Sequence, residues 1–230
     1  MKILKALPWM SAMLLMAGGA QAAAPAGFCG TLKNAFGPFD YRNAASLPHE
    51  YELVTSAHFT PEVEQNIKGT SGYLASDLDY TLRAWPNHPG ALSSMSRQSK
   101  LEKNLTPRGA KWPVDCYFLR AFEFAPTDGT PHAIYGNHLL SVGKDGQAMD
   151  EFRRAVVLDP ENVVINYNAG LAFFKLKDYD KALLHAKKAY AQNFPLPGLK
   201  NKLVAVGKWN DEPLPAVTAD SPPALSTSPK

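Results

Sequence analysis

The chain has 230 residues, 24 basic against 21 acidic, a formal charge of +3, and 45% hydrophobic side chains. With no basic face and no arginine-rich arm, that near balance excludes a nucleic-acid footprint. Setting aside the two ends described below leaves about 190 residues, enough for one domain with a proper core.

Residues 1–22 read as a secretory signal peptide. Lys2 and Lys5 precede an apolar run, Ala6–Ala17, and Ala20-Gln21-Ala22 offers a small-residue cleavage site. The run is too short to span a bilayer comfortably. Cys29 follows Phe28 and lies too far beyond the run to be a lipoprotein cysteine. The mature chain is therefore expected to be periplasmic or secreted, without a membrane span. Loss of Lys2 and Lys5 brings its charge to about +1. In an oxidising compartment Cys29 and Cys116 are read as a disulfide in preference to free thiols. The bridge would close a loop of 87 residues. Chain entropy makes that worth about 4–5 kcal/mol before strain is subtracted. No Cys-x-x-Cys supports a redox role.

Residues 23–59 form an irregular N-terminal arm in this reading. Pro25, Gly27, Gly30, Gly37 and Pro38 punctuate it, and Phe28, Phe36, Phe39 and Tyr41 would anchor it in a surface groove. Within it, Tyr51–Phe59 is the one candidate strand; its apolar residues alternate only in part, so a helical turn fits nearly as well. Thr60-Pro61-Glu62-Val63-Glu64 is a helix start, with Thr60 as cap and acids at the positive end, and Gly69 is the expected stop. Thr70–Trp85 follows, with Tyr73, Leu74, Leu78 and Leu82 on one side and Pro86 as breaker. Gly90–Lys103 and Val114–Phe124 flank a loop, Asn104–Pro113, that holds Pro107, Gly109 and Pro113.

From Gly129 the chain repeats itself. Gly136 and Gly170, Ala148 and Ala182, and Ala155 and Ala189 are each 34 residues apart. Helices at Pro131–Val142 and Gly146–Leu158 would form one helix–turn–helix unit, with small residues where the helices cross. Tyr135, Leu139 and Phe152 would fill the space between, and Pro160 would stop the second helix. These positions resemble the tetratricopeptide (TPR) family. Tyr135, Gly136, Ala148, Phe152, Ala155 and Pro160 carry the resemblance; Ala169 and Ala186 replace expected large residues in the second copy. Stop prolines at 86, 126, 160 and 195 extend the pattern backwards as a degenerate unit, residues 60–126, ahead of two repeats and a cap in 127–210. The cap is an amphipathic helix, Leu196–Val206, with Trp209 packing back on it. Residues 211–230 read as a disordered Pro/Ser-rich tail.

Six histidines occur, none in a His-x-x-x-His pair, so no metal site is expected. No cofactor fingerprint and no nucleophile elbow appear either, and the chain is read as a non-enzyme. Asp77 and Asp79 diverge on a helix, so Asp79 with Arg83 is the better pair. The block Asp77–Leu92 is similar to a stretch of small exported proteobacterial TPR proteins whose role is unassigned. Its Tyr80, Arg83, Asn87 and His88 either hold an irregular corner by hydrogen bonds or form the polar end of a ligand groove.

The resemblance implies an all-α helix–turn–helix solenoid of about three hairpins, whose concave face binds a protein or peptide. The residues implied are His88, Met95 and Gln98, then Asn137 and Ser141, then Tyr167, Leu171, Phe174 and Lys175. The basic members of a carboxylate-clamping set are reduced to Lys175. The leading expectation is an exported interaction scaffold in cell-envelope assembly. Its alternative is a structural accessory subunit that uses the convex face and the 104–113 loop, with the groove filled by the chain's own N-terminal arm.

Overall fold

A computed structural model describes residues 28–212; the expected signal peptide and nearly all of the expected tail lie outside them. Among the described residues every element is helical. A 3-10 helix at Tyr41–Ser46 precedes α1 (Pro48–His58), α2 (Pro61–Glu64), α3 (Leu74–Ala84), α4 (Pro89–Glu102) and α5 (Val114–Phe124). Then come α6 (Gly129–Ser141), α7 (Asp145–Leu158), α8 (Val163–Lys175), α9 (Tyr179–Ala191) and α10 (Gly198–Ala205). No described helix is long and apolar enough to cross a membrane.

The candidate strand Tyr51–Phe59 is instead helix α1. Pro48 opens it, Glu50 sits at its positive end and His58 at its negative end. Tyr51 and Val54, three apart, share one face against Trp85. Helix α2 ends after one turn, before Gly69. Asn66 turns left-handed there (φ 57°), and its amide donates to the Ser94 carbonyl at 2.9 Å and to Gln98 at 3.0 Å. Helix α3 starts at Leu74, four residues later than expected, because the Asp77 carboxylate accepts the Thr70 N–H at 2.8 Å and holds the entry as a turn.

Helices α6 and α7 form one tight hairpin and α8 and α9 a second. A Cβ on Gly136 would stand 2.8 Å from the Phe152 ring, so only glycine permits this crossing. In the second hairpin Ala186 replaces Phe152, and the vacated space takes a side chain from elsewhere. Leu199 of α10 reaches within 2.5 Å of where a Gly170 Cβ would be. The small residues that weaken the second copy are thus the socket of the capping helix. Trp209 packs back as expected, 5.9 Å from the Tyr190 ring and under the Lys200 ammonium at 4.7 Å.

Helices α4, α6 and α8 pack directly on one another in succession. The N-terminal arm lies mainly along α3 and α5. Cys29 is bonded to Cys116 of α5 (Cα–Cα 5.1 Å), and the Phe39 N–H donates to the Ala84 carbonyl at 2.8 Å. A Cβ on Gly37, at φ 84°, would sit 2.6 Å from that same carbonyl oxygen. The arm therefore anchors to α3, α5 and the turn after α3, and its Tyr41, Tyr51 and Phe59 close over His88 at the α4 end of the expected groove, while Phe174 on α8 is packed by Tyr179 and Lys202 instead.

Candidate interaction surface

The repeat decides which face of α6 and α8 remains accessible. On α6 it is Thr130, Ile134, Asn137 and Ser141; on α8 it is Val164, Asn168, Leu171 and Lys175. Each member of the first set has its counterpart 34 residues later in the second. The spacing of three and four residues is that of one helical face. Because α6 and α8 are in direct contact, the two stripes run side by side. The Lys175 ammonium ties them together, 3.3 Å from the Leu140 carbonyl oxygen and 3.1 Å from Asp145 Oδ1. Ser141 Oγ donates back to the His138 carbonyl at 2.7 Å. Asn137 is exposed.

Of the residues expected to line a groove, Asn137, Ser141, Leu171 and Lys175 are on these stripes. Gln98 is half-buried on α4 and engaged with Asn66 and Glu102. Phe174 is half-buried beside Tyr179, with the Lys202 ammonium 5.8 Å from its ring. Three others are core. His88 is 2% exposed, caps α4 by accepting the Ala91 N–H, and is packed by Tyr41, Tyr51 and Phe59. Met95 is 0% exposed in the cluster that includes Val63 and Leu74. Tyr167 is 8% exposed, with its ring 4.4 Å from Phe194. The fifth position of each helix, Ala133 and Tyr167, turns inward, and the sixth, Ile134 and Asn168, is half-buried, Ile134 against the cluster that holds Leu92 and Phe118. Helical period alone would have found Ile134 and Asn168, since each lies four residues from a stripe member.

Beneath the stripes each hairpin carries one buried polar pair, also in repeat register. His132 Nδ1 lies 2.6 Å from Glu151 Oε2, and His185 Nδ1 lies 2.9 Å from Asn166 Oδ1. The histidine has changed helix between the copies, from α6 to α9. In the second pair the Asn166 amide donates to Pro160 and Asn162 carbonyls, so its oxygen is the acceptor and His185 the donor. Burial first, then Lys188 and Lys181, push the His185 imidazole down to about 4. Burial also pushes His88 down to about 4.

The block Asp77–Leu92 is a structural junction. Asn87, 0% exposed, accepts the Tyr41 N–H and donates to Asp40 and Asp128, each at 2.8 Å. Asp128 in turn caps α6 through the Thr130 N–H. Asp79 takes Arg83 Nε at 2.9 Å, the pairing expected, and the Tyr117 hydroxyl at 2.6 Å. Asp77 holds His58 Nδ1 at 2.9 Å. Between α4, α5 and α6, Ser96 Oγ lies 2.8 Å from His138 Nδ1, whose Nε2 stands 3.6 Å from Asp115. Among the described residues no three potential metal ligands gather. The chain matches no protein-family model and no curated protein.

Proposed function

We propose that this chain is an exported protein–protein interaction scaffold of TPR-like solenoid geometry, holding a peptide or partner segment across α6 and α8. The observation that carries it is the pair of adjacent stripes, repeated at 34 residues, each partly apolar and partly polar. Backbone groups of an extended segment can bond to Asn137, Asn168 and Ser141 while its apolar side chains rest on Ile134, Val164 and Leu171. The disulfide supports an exported setting, where such bonds persist. A catalytic reading has less to stand on. The Ser96–His138–Asp115 line has a buried histidine, and its 3.6 Å contact exceeds hydrogen-bond length.

The test is site-specific photocrosslinking in the exporting cell, from Leu171 on the stripe and from exposed Val157 on α7 as control. Capture of one partner from Leu171 alone, lost in Asn137→Ala/Lys175→Glu, is expected. Capture from Val157 instead, unaffected by that double substitution, would replace the scaffold reading with an accessory subunit that docks by its other face.

A further inference from the structure

The C-terminal ends of α4 and α6 meet at one edge of the molecule, and a cleft of about 260 Å³ opens between them. Its lining is mainly apolar: Leu105 from the 104–113 loop, Val142 after α6, and the His138 ring, with Lys100 and Lys103 on the rim. Leu105 is 62% and Val142 43% exposed, so two aliphatic side chains stand in water around a concavity. Lys144 follows two residues after Val142, its N–H bonded to the Leu139 carbonyl at 2.9 Å.

Two lysines, Lys100 and Lys103, border the cleft and no carboxylate does. Lys100, Lys103 and Lys144 make no salt bridge among the described residues, as is also true of Lys111, Lys177 and Lys202 elsewhere. Of the nearby carboxylates only Asp145 meets a lysine or arginine among the described residues. Glu102 accepts from Gln98 and from the Arg108 N–H, Asp115 faces His138, and Asp145 is held by Lys175. Cations at helix C-termini are favoured by the dipole, which accounts for Lys100 and Lys103. It does not account for the exposed Leu105 and Val142 beside them.

We propose that this cleft docks a segment of another protein in which a large apolar side chain is flanked by carboxylates. The apolar side chain fills the space between Leu105 and Val142, and the carboxylates meet the three lysines, which set specificity and encounter rate. The concavity favours a protein segment over an anionic membrane, which would be met by protruding side chains. The site lies at the ends of α4 and α6 and does not depend on the stripes of α6 and α8.

Fluorescence anisotropy of the full disulfide-bonded chain tests this with two labelled peptides, Glu-Glu-Leu-Phe-Glu-Glu and Lys-Lys-Leu-Phe-Lys-Lys. The native chain is expected to bind the acidic peptide in preference, with affinity that falls as salt rises. Lys100→Glu/Lys103→Glu/Lys144→Glu should weaken acidic-peptide binding at least about tenfold and reverse the preference. Leu105→Ser/Val142→Ser should weaken it about tenfold and leave the charge preference intact. Asn137→Ala/Leu171→Ala should change nothing. Equal binding of both peptides, indifference to Leu105→Ser/Val142→Ser, or loss in Asn137→Ala/Leu171→Ala would overturn the proposal, the last by placing the peptide on the stripes. Co-sedimentation with phosphatidylglycerol vesicles in place of peptide binding would overturn it in favour of a membrane surface.

Discussion

The half of the molecule from Cys29 through α5 and the half from α6 through α10 are held together by different kinds of contact. In the first, charged and polar groups are buried and bonded across long stretches of sequence. Arg120 donates to the Cys29 and Thr31 carbonyls while lying 4.4 Å over the Trp112 ring. Asn87 joins the arm, the turn before α4 and the cap of α6. In the second half, small residues at Ala148, Ala155, Ala182 and Ala189 let helices close on one another, and each hairpin keeps a single polar pair. Packing of this second kind is tolerant, because a lost side chain can be replaced by a neighbour's, as Leu199 does for Phe152. A buried polar network allows no such substitution, since each partner left alone carries its full desolvation cost.

The bridge offers the largest break. Cys29→Ser/Cys116→Ser frees a loop of 87 residues and should lower stability by about 4 kcal/mol on the chain-entropy account, read from urea unfolding. A loss under about 1 kcal/mol would mean that the unfolded chain already keeps this loop compact, so that the bridge removes little of its entropy. Next comes Asn87→Leu, which leaves the Tyr41 N–H and Asp128 Oδ2 without their partner and takes one donor from Asp40, and should cost about 3 kcal/mol. In the other half, Leu199→Ala should cost about 2–4 kcal/mol through the cavity beside Gly170. Ala186→Phe on its own overpacks the same space. Joined, the two should cost less than their sum by about 1–2 kcal/mol, because the phenylalanine refills what the leucine vacates, as Phe152 does in the first hairpin. Additive costs would show that α10 does not occupy that socket.

These contrasts explain what could be read in advance. The hairpins were legible because apolar packing repeats, and Gly136, Phe152 and Ala155 leave their spacing in the chain. The disulfide was legible from the cysteine count together with the expected export of the chain. The role of His88 was not. It sits at the second position of its helix, as Thr130 does in α6, yet Tyr41, Tyr51 and Phe59 close over it from the arm and α1. Met95 was misread for a related reason: the cluster that buries it includes Val63 of α2, a one-turn helix that no repeat predicts. Tyr167 was lost to the cap segment, whose Phe194 covers it. Each miss is a repeat position buried by a segment outside the repeat.

Acid acts on both halves through buried histidines, His88 in the first and His185 and His138 in the second, each lowered first of all by burial. His88 and His185 both lie near 4 when folded, below the ordinary 6.5, so the fold favours the neutral ring. Their contribution is complete above about pH 6.5 and is lost as pH falls from there towards about 4, with a slope of at most about 1.4 kcal/mol per pH unit each. His185→Gln retains a donor for Asn166 and should flatten that acid limb by one proton's slope. His88→Asn, which keeps an N-cap acceptor, should do the same from the other half. An unchanged limb in either variant would show that its imidazole is free to protonate in the folded chain.

The smallest stability effect should come from the stripes themselves. Lys175 and Asp145 are an exposed pair, and exposed pairs contribute little because water and salt screen them and two long side chains must be ordered. Asn137 is likewise exposed. Asn137→Ala/Lys175→Glu is therefore expected to move the unfolding free energy by no more than about 0.5 kcal/mol. The same substitution should abolish capture from Leu171. That combination, stability retained and binding gone, separates an interaction face from the buried network of the other half, where function and stability could not be varied apart. If the double variant instead melted with the cost of an Asn87 substitution, the stripes would be part of the scaffold's own architecture. The partner would then have to be sought at the cleft between α4 and α6.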